Sequence, residues 1–113
     1  MCIKKYVRSV VVFEDHFIKF KKGLDKNVIK KIYQVLVMTL EVIPSKFMKS
    51  ISSVPGLYEI RVEESGNTYR IFCCFDEGQL VVLLNGIQKK SQKTPKKDIE
   101  KAASLMAKYF KNQ

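Results

Sequence analysis

Arginine is scarce in this chain, which makes its placement informative. Of 21 basic residues only three are arginines, and two of these, Arg61 and Arg70, flank a Ser65-Gly66 turn signal. A hairpin closed at that turn sets Ile60 against Ile71 and Val62 against Tyr69, and it puts Arg61 directly opposite Arg70 on the other face. Like charges that face each other across a strand pair repel. A guanidinium fork matches phosphate oxygens, so a bound phosphate would convert the repulsion into a site. The alternative is that Glu59 or Glu63, on the same face, neutralises the pair as a surface ion-pair cluster of small energetic weight.

A second constellation follows downstream. Lys89, Lys90, Lys93, Lys96, Lys97 and Lys101 place six lysines within thirteen residues. Lys96 and Lys97 fall in the first turn expected after Pro95, where the positive end of the helix dipole disfavours cations. A helix start with added lysines attracts anions; a solvated basic loop is the other reading. A hairpin closed at Glu77-Gly78 brings Asn85 beside Arg70, and Lys89 follows on that face by two-residue alternation. Both clusters then line one groove.

The bulk composition points the same way. A net charge of +10 over 113 residues, with a pI near 9.6, is the footprint of a polyanion binder, with a generally basic soluble surface as the plain alternative. No segment joins a basic face to exposed aromatic anchors, which argues against membrane-surface binding. Hydrophobic content of 46% is enough for a single soluble domain, 1–113, whose core is aliphatic and Phe/Tyr-built because Trp is absent. Of three cysteines, Cys73 and Cys74 are adjacent and would point to opposite faces of a strand, unsuited to a disulfide or a metal. Free thiols and an apolar Val10–Phe13 run too short for a signal peptide or a span imply a cytoplasmic protein. One histidine, His16, excludes a His–His dyad, and there is no zinc-ligand spacing, phosphate-cradling glycine loop or nucleophile elbow. No cofactor is expected. Catalysis, if present, would be metal-independent, by positioning and charge stabilisation from lysine and arginine.

The elements that must position these residues can be read from patterning. Lys5 to Phe13 predicts a strand, and Glu14 onward a short helix with Phe17, Ile18 and Phe20 apolar, ended by Gly23. Asp25 caps a longer helix to about Val42, with Val28, Ile29, Ile32, Tyr33, Leu36 and Leu40 at helical spacing. Its second half is apolar nearly all round, which requires burial on two sides or a covering partner; Pro44 ends it. After Pro55-Gly56 come three strands, Leu57–Glu63, Thr68–Phe75 and Gln79–Gln88, as an antiparallel meander. Thr94 as N-cap and Pro95 at the first helical position open a last helix, whose buried stripe is Ile99, Ala102, Ala103, Met106 and Phe110.

Gly56-Leu57-Tyr58-Glu59-Ile60-Arg61, then Tyr69-Arg70-Ile71-Phe72, then Val82-Leu83-Leu84 leading into Lys89-Lys90 and Thr94-Pro95, resembles the RelE/ParE toxin superfamily, with the phage-derived HigB-like toxins as the nearest branch. The resemblance runs from the first strand to the last helix. It implies an α+β, RelE-like fold: N-terminal helices packed on an antiparallel sheet of about four strands, plus a C-terminal helix. It also implies the toxin of a type II toxin–antitoxin system, a ribosome-dependent messenger RNA endoribonuclease that inhibits translation. In such a reaction the ribose 2′-hydroxyl attacks the adjacent phosphorus and the bond to the next nucleotide's 5′-oxygen breaks, leaving a 2′,3′-cyclic phosphate or its opened product. Arg61 and Arg70 would hold the phosphate and its transition-state charge, Lys89 and Lys90 would match the family's paired lysines, one of them assisting proton transfer, and Lys93, Lys96, Lys97 and Asn85 would contact RNA. The implied partners are a HigA-like helix-turn-helix antitoxin and messenger RNA on the ribosome. Position 87 departs from the pattern, being Ile where relatives often carry an aromatic residue, and no equivalent of a C-terminal acid–base group is found; Tyr69 and Tyr109 are poor candidates. A ParE-like gyrase inhibitor without nuclease activity and an inactive RNA- or antitoxin-binding module are the alternatives.

Overall fold

Two-residue alternation and a tight turn build the centre of the fold. In the computed structural model, which describes residues 9–38, 48–77, 80–89 and 95–112, Leu57–Glu64 and Asn67–Asp76 form a hairpin closed by Ser65 and Gly66. Both turn residues have positive φ, 53° and 80°. That pair of left-handed residues matches the right-handed twist of the strands it joins, which is why Gly stands second. The expected register follows: Ile60 opposite Ile71, Val62 opposite Tyr69 and Arg61 opposite Arg70.

The chain order is β1 (Ser9–Val12), α1 (His16–Lys22), α2 (Lys26–Met38), β2 (Met48–Ser50), β3 (Leu57–Glu64), β4 (Asn67–Asp76), β5 (Leu80–Lys89) and α3 (Lys96–Lys111). The sheet has five strands in the order β1-β5-β4-β3-β2. It is mixed, which corrects the antiparallel sheet of about four strands: β1 runs parallel to β5, with Ser9 opposite Leu80 and Val12 opposite Leu83. β2, a Met-Lys-Ser segment with no strand signature of its own, pairs with β3.

Helices cover both faces. Phe17 of α1 and Val28, Ile32, Val35 and Leu36 of α2 pack against Ile60, Val62, Tyr69, Ile71, Cys73 and Leu83. On the opposite face Ala102 and Leu105 of α3 pack against Leu57, Phe72, Cys74, Val82 and Leu84. Adjacent Cys73 and Cys74 therefore serve two different cores, both as free, buried thiols. Burial pushes both thiols up, Cys74 to about 11, where Asp76 adds to the effect.

Capping explains the helix starts. The Asp25 carboxylate accepts a hydrogen bond from the Asn27 N–H at 2.9 Å, satisfying one orphan donor of α2. At α3 the cap position is Pro95 itself, with φ −58° and ψ 135°, one residue later than the sequence implied. Its carbonyl accepts from the Asp98 and Ile99 N–H groups; Thr94 lies outside the described residues. The buried stripe of α3 is also rotated from the expected one: Ala102 and Leu105 are buried, Ile99, Met106 and Tyr109 flank them, and Phe110 is exposed. Likewise Ile18 and Tyr33 face outward rather than into the core. The expected strand residues before Ser9, the expected helical residues after Met38, including Leu40, and Pro44 lie outside the described residues.

The β4–β5 register breaks between Ile71 and Cys73. Ile71 stands opposite Gly86 and Cys73 opposite Leu83, so Phe72 faces two residues, Leu84 and Asn85. This is a β-bulge with the extra residue on β5. Beside it α1 comes close to the sheet: a Cβ on Gly86 would lie 2.5 Å from Phe20 Cδ2 and 2.9 Å from Cγ. The Phe20 ring packs against the rings of Phe17 and Tyr69, with centroids at 6.4 Å in each case, so it has little room to retreat. Gly86→Ala should therefore destabilise the fold by about 1–3 kcal/mol, an overpacking penalty. Urea unfolding with Gly86→Ala alone and combined with Phe20→Leu checks it; the second change should restore part of the loss. An unchanged midpoint for Gly86→Ala would contradict the close approach.

Candidate functional site

Arg61 and Arg70 share the α3 face of the sheet, as the hairpin register requires, but their environments differ. Arg61 is half exposed, and its Nη1 lies 3.9 Å from Glu63 Oε1, a loose surface pair. Arg70 is 3% exposed. Its Nη1 donates to Glu59 Oε1 at 2.6 Å, with side chains 4% and 8% exposed. Glu59 stands opposite Phe72, so the pair is a diagonal contact across the ladder. The neutralised alternative is realised at Arg70: its guanidinium is tied to a buried carboxylate and does not offer its fork to solvent. Burial, and secondarily the Arg61 charge, lower its proton affinity, while Glu59 opposes both. Arg70 Nε is buried with no hydrogen-bond partner.

The register corrects one expectation outright. Ile87, not Asn85, stands opposite Arg70. The β4–β5 connection is longer than a loop centred on Glu77-Gly78, with Asp76 opposite Leu80, and the bulge adds a further residue of offset. Asn85 falls at the bulge, 3% exposed, its Oδ1 without a hydrogen-bond partner. A side chain so enclosed is not a surface contact for RNA. The signal was present in the sequence, since Asn-Gly within an apolar strand run marks a bulge.

Lys89 holds the register position opposite Thr68, two residues along from the Arg70–Ile87 pair. Lys90 and Lys93 lie outside the described residues. Lys96 and Lys97 occupy the first turn of α3 and are exposed, with Asp98 beside them as the acidic residue that suits a helix start. The direction of α3 follows from its contacts. Near its C-terminal end Tyr109 donates to Asp76 Oδ2 at 2.8 Å and packs edge-on against Phe13 at 5.4 Å. Near its start Ile99 packs in the same cluster as Ile87, the partner of Arg70. The first turn of α3 is thus turned toward the end of the sheet that carries Arg61. Exposed Arg61, Lys96 and Lys97 give that end a basic edge, and Arg70 lies buried beside Glu59.

That arrangement can hold a polyanion by charge. His16 stands apart from this basic edge, its Nε2 3.1 Å from Glu14 Oε1. Glu14 adopts a left-handed backbone (φ 58°) and also meets Lys108 Nζ at 2.5 Å, joining the start of α1 to the end of α3. Lys108 and then His16 hold the Glu14 carboxyl below its ordinary range. Among the described residues no helix is long and apolar enough to cross a membrane.

No curated protein matches the chain. A family match does exist, to the phage-derived Gp49-like proteins (DUF891), over residues 19–107. Since that span takes in both helical layers and the β3–β5 meander, well over half of the chain, the protein belongs to the Gp49-like family.

Proposed function

We propose that this protein is the toxin of a type II toxin–antitoxin pair, an endoribonuclease that cuts messenger RNA on the ribosome and so blocks translation. The observation that carries the reading is its membership of the Gp49-like family, which is associated with RelE-like toxins. A net charge of +10 and the basic edge of Arg61, Lys96 and Lys97 supply attraction for an RNA backbone. In this reading Arg61 takes the scissile phosphate, Lys89 and Lys90 serve as the adjoining cations, and Lys93 extends the grip on RNA. Arg70 positions the strand beneath Arg61. The cognate partner is a HigA-like helix-turn-helix antitoxin, and no metal takes part.

One observation favours a second reading. With Arg70 buried against Glu59, a single exposed guanidinium remains on this face among the described residues. A toxin that acts without cutting, by binding gyrase or RNA, needs no more than that.

Brief induction followed by primer extension on messenger RNA separates the two. Codon-phased cuts are expected, reduced about 100-fold or more by Arg61→Ala, which removes a contact to developing charge and spares the core. Growth arrest with intact messages and a DNA-damage response would replace the nuclease with a gyrase inhibitor. Unimpaired growth would leave only a binding module.

A further inference from the structure

Five of the six large apolar side chains exposed among the described residues, Val10, Val12, Ile18, Tyr33 and Val37, border one groove between β1, α1 and α2; the sixth, Phe110, lies elsewhere. The groove has a volume of about 350 Å³, with Phe17, Leu36 and Leu83 in its lining. Its origin is topological. Among the described residues α1 packs chiefly over β5 and α2 over β3, so their layer stops short of β1, the edge strand. Val10 and Val12 are thereby left uncovered, and an apolar sheet face of this kind is normally closed by a helix. A clustered apolar surface marks an interaction site where scattered single residues do not.

The charge around the groove is one-sided. Lys21 lies at its mouth, its Nζ donating to the Tyr33 hydroxyl at 2.6 Å and sitting 5.3 Å from that ring's centroid. Tyr33 and Val37 are shared with a neighbouring shallow depression that adds Lys26 and Lys30. No carboxylate lines either one among the described residues.

We infer that this groove seats an acidic amphipathic helix of a partner protein. The helix continues the α1–α2 layer across β1, its apolar stripe on Val10, Ile18 and Val37 and its carboxylates toward Lys21 and Lys30. Anchors at helical spacing laid into an apolar groove are an established recognition mode, and the lysine rim selects the sign of the flanking charge. The inference stands whether or not the protein cuts RNA, since the basic edge near Arg61 takes no part in it.

The test uses the full chain and a fluorescein-labelled synthetic peptide of about five helical turns. It carries Leu at positions i, i+3, i+4 and i+7 with Glu on the flanks, and a scrambled peptide of the same composition is the control. Anisotropy should give a Kd at least tenfold lower for the patterned peptide. Ile18→Asp and Val37→Asp, both exposed positions, should each erase that difference while leaving the circular dichroism unchanged, and Lys21→Glu should weaken the patterned peptide alone. Equal binding of the two peptides would overturn the inference, as would indifference to Ile18→Asp and Val37→Asp. Concentration-dependent dimers that Val37→Asp disperses would assign the groove to a second copy of this chain and overturn it as well.

Discussion

Glu59→Ala is expected to lower the stability of the protein by about 3–5 kcal/mol, because it strands a buried cation. Arg70 is 3% exposed, its Nη1 is 2.6 Å from Glu59 Oε1, and its Nε has no partner to share the charge. Arg61 directly opposite adds repulsion that Glu59 offsets. Burial lowers the proton affinity of the guanidinium, but an arginine stays charged at any pH a folded protein meets, so the variant cannot escape by neutralising itself. Urea denaturation should show a lower midpoint at unchanged slope. The double variant Glu59→Leu/Arg70→Met should recover most of the loss, since exchange of a buried ion pair for packed apolar groups is often neutral or better. A Glu59→Ala change below about 1 kcal/mol, in the range of surface pairs, would show that water reaches Arg70.

Phe72→Ala should be similarly damaging, by about 3–5 kcal/mol. Phe72 is fully buried in the cluster that joins the sheet to Ala102 and Leu105 of α3. It faces Glu59 on one side and the Leu84-Asn85 bulge on the other. Bulged backbone is poorly placed to collapse into a vacated volume, so most of the cavity should persist. At ~4 °C per kcal/mol the melting temperature should fall by ~12–20 °C. Phe72→Leu, which fills much of the space, should lose well under half as much. Hydrogen exchange should locate the weakening in α3 before β3 and β4. Uniform loss of protection would mean that α3 has no separate stability.

What the sequence disclosed was what local chemistry fixes. The Ser65-Gly66 turn determines the β3–β4 register, and with it the Arg61–Arg70 opposition, to the residue. Asp25 announced its cap, and Gly23 the end of α1. The failures arise where long-range packing decides. Nothing local to Ser9–Val12 says that it pairs parallel to a strand some seventy residues away. β2 has no periodicity to read. A longer β4–β5 connection and the Leu84-Asn85 bulge each moved the register by one residue and made Ile87 the partner of Arg70, and alternation alone cannot see shifts of that kind. Both possible fates of the arginine pair were visible, phosphate site or neutralised cluster. Which one Arg70 took depended on depth of burial, which Glu59 and Arg70 do not reveal by type.

The parallel pairing of β1 with β5 also governs how the molecule is assembled. Ser9 has to wait for Leu80, and Val12 for Leu83, so among the described strands β1, made before the other four, pairs only with β5, made after them. Such remote closure is slow, because chain entropy must be surrendered before the contact repays it. The β3–β4 hairpin can form early, while the N-terminal strand joins as a late latch, so a chain truncated before residue 80 would leave its opening segment without a strand to pair with.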